Sequence, residues 1–557
     1  MGVATTNEIG RILASKGLLS YQEPVFKHHQ SIEHGGVLCA IPSLIAQGLL
    51  SYRDVYEPLP KGYYGIESIL FTLAIMSLCR IKNPEQLKQH RAGELGALIG
   101  LDRVPEVKCL REKVNLIVNQ SKANDWNQKL LTQWLGSSED DFFFYVDGHV
   151  RIYYGSKATL PAKYVSRQKL CLSATTEYWV NDANGLPYLV VTGELTEKLE
   201  QVIKETIIDQ LMSNEIIKKR KEQNKAVLFT LVFDREAYHP SFFNWLWQTH
   251  RIAVITYRKN VKDTWPTEGF KEHTVTVIQN KVTMLLCEQT VQLGGYDFRE
   301  VRQLGEGAHQ TSIITTHPAS LEIATIAGKM FSRWSQENFF RYLIQDFDFD
   351  KMWQYGTQEV DDKKEVINPL YRKANYVLKK KREKKRRVQA SLANHLDEIV
   401  AGTIDHVPTY SVKQKSYMDK IEIMNQEEKI LVEEREKIPP KVTLSEMPED
   451  KRYNQLKPEH KHFINIIKMI SYRAETALVQ TLSPHFKRDK EESRMLIKQL
   501  FNTPADIIPD YENKTLTVKI SGLAANRFNE AIYELLTELN KTETNYPGTE
   551  LRLIYTK

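Results

Sequence analysis

Three acidic side chains stand out by position. Asp147 ends the apolar run Phe142-Phe143-Phe144-Tyr145-Val146, and Asp234 ends another that begins at Ala226. A carboxylate there must be solvated, paired or bound to a cation. A single Asp at a strand end serves most simply as a turn former. Two at the ends of adjacent strands would instead hold hard oxygen ligands close together, a donor set for Mg²⁺ or Mn²⁺. Glu337 is the third candidate, sharing one helix face with Arg333 and Arg341 through four-residue spacing. Alone, that pattern is a surface ion-pair ladder.

Other clusters carry less. His28, His29, His34 and Cys39 match no common zinc module and read as ordinary surface and core side chains. Asp346, Asp348 and Asp350 imitate the start of a calcium loop, but Lys351 stands where its Gly belongs and Thr357 where its closing Glu belongs. Glu300 and Glu306 are the substitutes for Glu337. Residues 379–387 set Lys379, Lys380, Lys381, Arg382, Lys384, Lys385, Arg386 and Arg387 against the single acid Glu383. Such a run is a solvated helix face or a contact to DNA phosphates.

The elements that must position these residues change period along the chain. Residues 1–24 read as a loose arm. Helices follow over 66–79 and 84–99, the second ended by Gly100, and Pro105 opens another to about 119. That last helix carries Lys108, Arg111 and Lys113. The pair over 84–119 has the form of a DNA-reading helix-turn-helix or of an ordinary hairpin with a solvated basic face. Strands are expected at 142–147 and 150–154 around Gly148, then at 170–180 and 188–192 across the turn residues 181–185. A long helix over 197–221, a central strand at 226–234, a short helix over 241–249 and a strand at 252–257 follow. Residues 258–316 are β-rich, with Trp265 their only tryptophan. Helices return over 318–345, 388–400 and 411–437, and Pro439-Pro440 opens a polar linker to about 458. The end holds helices at 462–480 and 488–501, a strand at 515–520, a helix at 526–540 and a strand at 551–555. The divisions expected are 1–136 helical, 137–257 an α/β core, 258–316 a β-rich insertion, 317–360 a helix completing the core, 361–457 basic and helical, and 458–557 helical plus small α/β.

The 557 residues are 41% hydrophobic and 26% charged, which excludes disordered and fibrous classes. Lys and Arg number 76 against 70 Asp and Glu, a balance that permits a nucleic-acid partner without requiring one. Cysteines at 39, 79, 109, 171 and 287 are odd in number and lack C-x-x-C spacing. A disulfide framework and a cysteine zinc module are therefore not expected, and a reducing cytoplasm is. The longest apolar run, 69–79, is too short to span a bilayer, and no secretory leader pattern opens the chain. Met1-Gly2-Val3-Ala4-Thr5-Thr6 fits the loose myristoylation pattern. With no polybasic stretch beside it, it reads as chance.

An acid after each of two core strands and a Glu on a later helix resembles the Asp-Asp-Glu (DDE) transposases. It is most similar to the bacterial insertion-sequence branch, whose RNase H-like core is interrupted by a β-rich insertion. The segments that carry this are Tyr145-Val146-Asp147-Gly148-His149, Val232-Phe233-Asp234-Arg235-Glu236 and Arg333-Trp334-Ser335-Gln336-Glu337-Asn338-Phe339-Phe340. The branch's signature Tyr-x2-Arg-x3-Glu-x6-Lys is kept at Arg333 and Glu337, but Met330 and Ile344 stand at its Tyr and Lys places. DNA contacts assigned to those places do not carry over, and Arg341 is the substitute. Gly93-Glu94-Leu95-Gly96, Leu101-Asp102-Arg103-Val104-Pro105 and Thr542-Glu543-Thr544-Asn545-Tyr546-Pro547-Gly548-Thr549 resemble large members of the branch.

The resemblance implies an α/β fold with an RNase H-like catalytic core, a β-rich insertion and flanking helical and small α/β regions. It implies a Mg²⁺-dependent DNA transposase, with Mn²⁺ as a substitute. Asp147 would bridge two metal ions about 3.5–4 Å apart, with Asp234 and Glu337 each completing one side. Water would attack first and the freed 3′-hydroxyl afterwards. Arg333 and Arg341 would face phosphate oxygens, and Trp265 would stack on a flipped base. The expected partners are double-stranded transposon ends and target DNA, bound by a homodimer in a synaptic complex, with no membrane and a place at the nucleoid. The alternatives are an inactive or regulatory DNA-binding descendant of a transposase, or an RNase H-like nuclease that only hydrolyses.

Overall fold

The computed structural model describes residues 7–136, 141–165, 168–193, 198–278, 280–347, 357–400, 408–449, 452–486, 488 and 490–557. They form two compact units, one of residues 1–154, 162–356 and 457–557, the other of 155–161 and 357–456.

Runs rich in aromatic and β-branched residues build the first unit's mixed sheet. Its ten strands are β1 (Phe143–Ile152), β2 (Ala162–Val165), β3 (Leu170–Asn181), β4 (Pro187–Gly193), β5 (Phe229–Phe233), β6 (Ile252–Tyr257), β7 (Lys271–Val277), β8 (Asn280–Leu293), β9 (Tyr296–Leu304) and β10 (Gln310–Thr315). The order is β2-β3-β1-β5-β6-β10-β9-β8-β7, with β4 also paired to β3. β1, β3 and β4 form an antiparallel meander. β5 joins β1 in parallel, and β6 joins β5 in parallel. A parallel step needs a crossover, and the helix Pro240–His250 lies between β5 and β6 in the chain. Every residue of β5 is buried, as are Phe144, Tyr145 and Val146 of β1, the mark of strands covered on both faces. From β10 to β7 the sheet continues antiparallel, so the β-rich stretch extends the core sheet.

The helix Pro458–Leu482 runs buried through the same unit. Its Lys461 and Asn465 reach Glu177 of β3, which also pairs with Arg151 of β1 at 2.6 Å. Farther along, its Glu475 pairs with Arg80 at 2.8 Å and Arg494 at 3.1 Å. Buried charges persist only when paired this way. The strands Ala505–Asp510, Thr515–Ile520 and Arg552–Thr556 complete a second sheet with His29–Ile32. Tyr546 is buried there, its hydroxyl donating to the Leu98 carbonyl at 3.2 Å.

Several breaks differ from the sequence expectation. β1 runs unbroken past Gly148, which is no turn. A Cβ at that position would come within 2.9 Å of the Tyr178 ring on β3, so the glycine makes room for its cross-strand partner. The helix expected over 84–99 is two short pieces, a 3₁₀ turn Pro84–Gln89 and a helix Ala92–Ala97. Gly93 and Gly96 weaken helix there, and Gly96 packs against the Arg103 backbone, 2.3 Å from where a Cβ would sit. Only the second helix of the expected DNA-reading pair, Val107–Val118, is formed at length. The long helix over 197–221 contains a π-turn at Ile203–Ile207 and restarts at Glu215 under an Asn214 cap. The helix over 318–345 is two, Ile323–Phe331 and Trp334–Phe347, broken at Ser332 and Arg333. The N-terminal arm includes the helix Glu8–Ser15, whose Arg11 pairs with Asp102 at 2.6 Å.

In the second unit the helices Pro369–Val400 and Pro408–Glu436 form an antiparallel hairpin, shown by the pairs Lys381–Glu427, Arg382–Glu428 and Lys385–Glu428. The expected polar linker contributes the strands Lys441–Thr443 and Gln455–Leu456, each paired antiparallel with a strand from 357–367.

Candidate active site

Asp147 does not end its strand as the sequence suggests but lies in the middle of β1, level with the ends of the parallel strands β5 and β6. Val146 of β1 sits opposite Phe233 of β5, and Phe233 opposite Thr256 of β6. Asp147, Asp234 and Tyr257 are therefore the next residue on each of three neighbouring strands. Asp147 accepts from the Gly148 N–H at 2.9 Å, and Asp234 from the Arg235 N–H at 2.6 Å.

The helix Trp334–Phe347 lies over β1. Gln336 donates from Nε2 to the Tyr145 carbonyl at 2.5 Å, and Phe340 stacks on His149 with centroids 5.1 Å apart. The break before this helix releases Arg333 towards the strand ends. Its guanidinium lies 2.8 Å from Glu337 Oε1 and 3.8 Å from Asp147 Oδ2. One cation thus touches two of the three acids, and the third stands at the end of the adjacent strand.

At Asp147, burial outweighs the one cation that opposes it. Burial pushes the Asp147 carboxyl up to about 6; Arg333 and the Gly148 N–H offset this in part, while Glu236 and Asp234 add to it. Glu236 is raised by desolvation and by Asp234. Tyr257 is raised by burial, and it also feels Arg333, Asp234, Arg235 and Glu337. Glu236 and Tyr257 were missed in the sequence. Glu236 was legible two residues after Asp234, and Tyr257 as the end of the third parallel strand. The donors available to a cation are carboxylate oxygens, with His149 taken up by Phe340. Such a set suits Mg²⁺ or Mn²⁺ better than zinc.

The remaining candidates lie elsewhere. Arg341 pairs with Glu491 at 2.8 Å, both side chains largely exposed. Trp265 is not a presented ring, because it is buried with the Arg302 guanidinium 4.2 Å above it, and Arg302 is held by Glu300 and Asp263. Glu300 is consumed in that same cluster with Arg258 at 2.6 Å and Ser312. Glu306 lies in a short turn between β9 and β10. On the helix Val107–Val118, Arg111 is tied to Glu85 at 2.5 Å, Lys108 is exposed beside Glu112, and Lys113 is half-buried. The basic run lies in the second unit. There Lys381, Arg382 and Lys385 pair with the facing helix, Lys380 lies over the Tyr376 ring, and Lys379, Lys384, Arg386 and Arg387 are exposed. Asp346 is buried against Lys498 and Arg80 rather than in an exposed acidic stretch. Asp348, Asp350 and Lys351, like Met1 to Thr6, lie outside the described residues. Among the described residues, all five cysteines are free and no helix is long and apolar enough to cross a membrane.

Fold and site together define a mixed α/β protein with a carboxylate cluster on β1 and at the end of β5, bridged in part by Arg333. Over residues 2–557 the chain matches the family model described as "Transposase protein", and it belongs to that transposase family. No curated protein and no solved structure matches it. Family membership makes DNA the substrate to consider and strand cleavage the activity.

Proposed function

We propose that this transposase is of the DDE type, with Asp147, Asp234 and Glu337 as its catalytic acids, and that it cuts and joins the ends of a mobile element. The observation that carries this is Arg333, which touches both Asp147 and Glu337 beside the strand end that bears Asp234. The strand order β4-β3-β1-β5-β6, antiparallel on one side and parallel on the other, supports an RNase H-like core.

Asp147, Asp234 and Glu337 would hold Mg²⁺, or Mn²⁺ in its place, which activates the attacking oxygen and stabilises the leaving one. Arg333 has a second task. Its guanidinium now neutralises two carboxylates, and it can turn part of its donor fork to a phosphate oxygen of bound DNA. Burial raises the Asp147 carboxyl, and a cation taken up by the site would favour its carboxylate form. Gln336 and Phe340 hold the helix of Glu337 against β1 and so fix the distance between the acids. The exposed cations of 379–387 supply sequence-independent phosphate contacts. A homodimer in a synaptic complex would pair the two element ends.

The test is incubation of the purified protein with DNA carrying the element's terminal repeats and Mg²⁺, with products sized on a denaturing gel. Nicked and joined strands are expected from the wild type. Cleavage that survives Asp147→Ala, Asp234→Ala and Glu337→Ala together sinks the assignment. Cleavage without joined products would mark a nuclease.

A further inference from the structure

Far from the strand ends in sequence, His34 lies in a left-handed backbone conformation, φ 62°, which is uncommon for any residue but glycine. Its neighbours fix it there. A Cβ on Gly35 would fall 2.5 Å from Ala505, and one on Gly36 2.0 Å from the Leu500 carbonyl. The result turns a buried imidazole, 8% exposed, towards His90. His34 Nε2 lies 3.3 Å from His90 Nδ1 and 3.6 Å from Glu33 Oε1. One ligand atom from each of Glu33, His34 and His90 lies within 4.8 Å of the others.

These distances are those of a ligand set that an ion could draw together. Hydrogen bonds from N–H donors close at about 2.7–3.2 Å. Two imidazole nitrogens on a tetrahedral zinc, each bonded at about 2.0–2.1 Å, are held roughly 3.3–3.4 Å apart. The observed 3.3 Å closes a long imidazole–imidazole hydrogen bond and equally matches the spacing of two nitrogens on one tetrahedral ion, with Glu33 placed to supply a third donor. Glu94 ties the two ligand segments together, accepting from the Glu33 N–H at 3.0 Å and pairing with Arg91, the residue after His90, at 2.7 Å. Of the histidine and cysteine cluster in the sequence, only His34 takes part; Cys39 is buried and its thiol is pushed up.

We propose that Glu33, His34 and His90 form a binding site for a divalent transition-metal ion of the zinc type, with water in the remaining position. Two nitrogens and one carboxylate select zinc over magnesium, so this centre is distinct from the carboxylate cluster. The ion would staple the segment at 33–34 to the loop at 90, a structural role.

The experiment is Co²⁺ titration of the untagged full chain in excess Mg²⁺, followed by visible absorption. Tetrahedral d–d bands should grow to one equivalent and vanish as Zn²⁺ is added. His90→Gln, at a half-buried position, should abolish the bands with its circular dichroism unchanged. Zn²⁺ should raise the Tm of the wild type by several degrees and leave His90→Gln unmoved. Absence of the bands, or bands and Zn²⁺ stabilisation that persist in His90→Gln, overturns the proposal.

Discussion

Two acids on neighbouring strands of one sheet live in opposite electrostatic regimes. Glu177 of β3 sits opposite His149, two residues along β1 from Asp147. Burial alone would push Glu177 up, yet Arg151 and Lys461, with hydrogen bonds from Lys461 and Asn465, hold it down to about 2. Asp147 is pushed up to about 6, since a single arginine shared with Glu337 must offset burial and two further acids. The Glu177 cluster pairs its acid with two cations, the contacts of Arg151, Lys461 and Asn465 all falling on Oε1, as a structural ion network requires. At Asp147 burial outweighs the one cation, the pattern by which perturbed titratable groups mark functional sites.

The contrast is broken most directly by removing each acid. Asp147→Ala, Asp234→Ala or Glu337→Ala is expected to lower strand cleavage by roughly 10³-fold or more, with DNA binding in a mobility-shift assay nearly unchanged. Glu177→Ala should do the reverse. It leaves Arg151 and Lys461 buried without their counter-charge, at a cost of about 3–5 kcal/mol in urea unfolding. If Asp147→Ala destabilised as much as Glu177→Ala, the two clusters would be of one kind.

The pH dependence sharpens the comparison. Asp147 has its pKa raised on folding from 3.8 to about 6. Such a group favours the folded state below its unfolded pKa, and that contribution is lost as pH rises through about 6. Asp147→Asn stays uncharged throughout. It should therefore be more stable than the wild type at pH 7–8, by about 1–3 kcal/mol, and the gain should fade as pH drops towards 4. Glu177, lowered from 4.5 to about 2, contributes stability that is present above pH 4.5 and lost only as pH falls through about 2. Urea midpoints measured from pH 4 to 8 distinguish the two. A gain for Asp147→Asn that does not change with pH would show that its charge is not the cause.

Much of this arrangement was legible in the sequence, and the parts that were not share a physical reason. The strand Ile252–Tyr257, the strand Thr515–Ile520 and the helix Asn526–Asn540 follow from unbroken apolar runs or amphipathic spacing, which depend on local residues only. Asp147, Asp234 and Glu337 could be picked out because they follow an apolar run or face one side of a helix, although β1 continues beyond Asp147 to Ile152. The Glu177 cluster could not, because Glu177 and Lys461 are far apart in the chain and nothing local marks a Lys that will be buried. Arg341 shares a helix face with Arg333, but the pattern cannot show that the helix Lys490–Phe501 offers Glu491 to it. Trp265 stood alone in the β-rich stretch, and only the tertiary placement of Arg302 shows its ring to be packed away. Gly148 read as a turn because glycine signals one, whereas its cause is the ring of Tyr178 across the sheet.

The smallest effects separate two groups of cations within the basic run. Lys381, Arg382 and Lys385 already face Glu427 and Glu428 on the companion helix. Their charge is spent locally, and partly exposed pairs of this kind contribute about 0–1 kcal/mol each. Lys379, Lys384, Arg386 and Arg387 are exposed, with no carboxylate in ion-pair reach among the described residues. Each phosphate contact contributes about 0.9 to the slope of log K against log salt. Replacing the four exposed cations by Gln should therefore flatten the slope by roughly 2–4 units. Replacing the three paired ones should change it by less than about 1 unit, because they must first leave Glu427 and Glu428 to reach a phosphate. Binding isotherms across a salt series check both variants. Equal changes would mean that the hairpin opens when DNA binds, and no change in either would leave the run a solvated helix face.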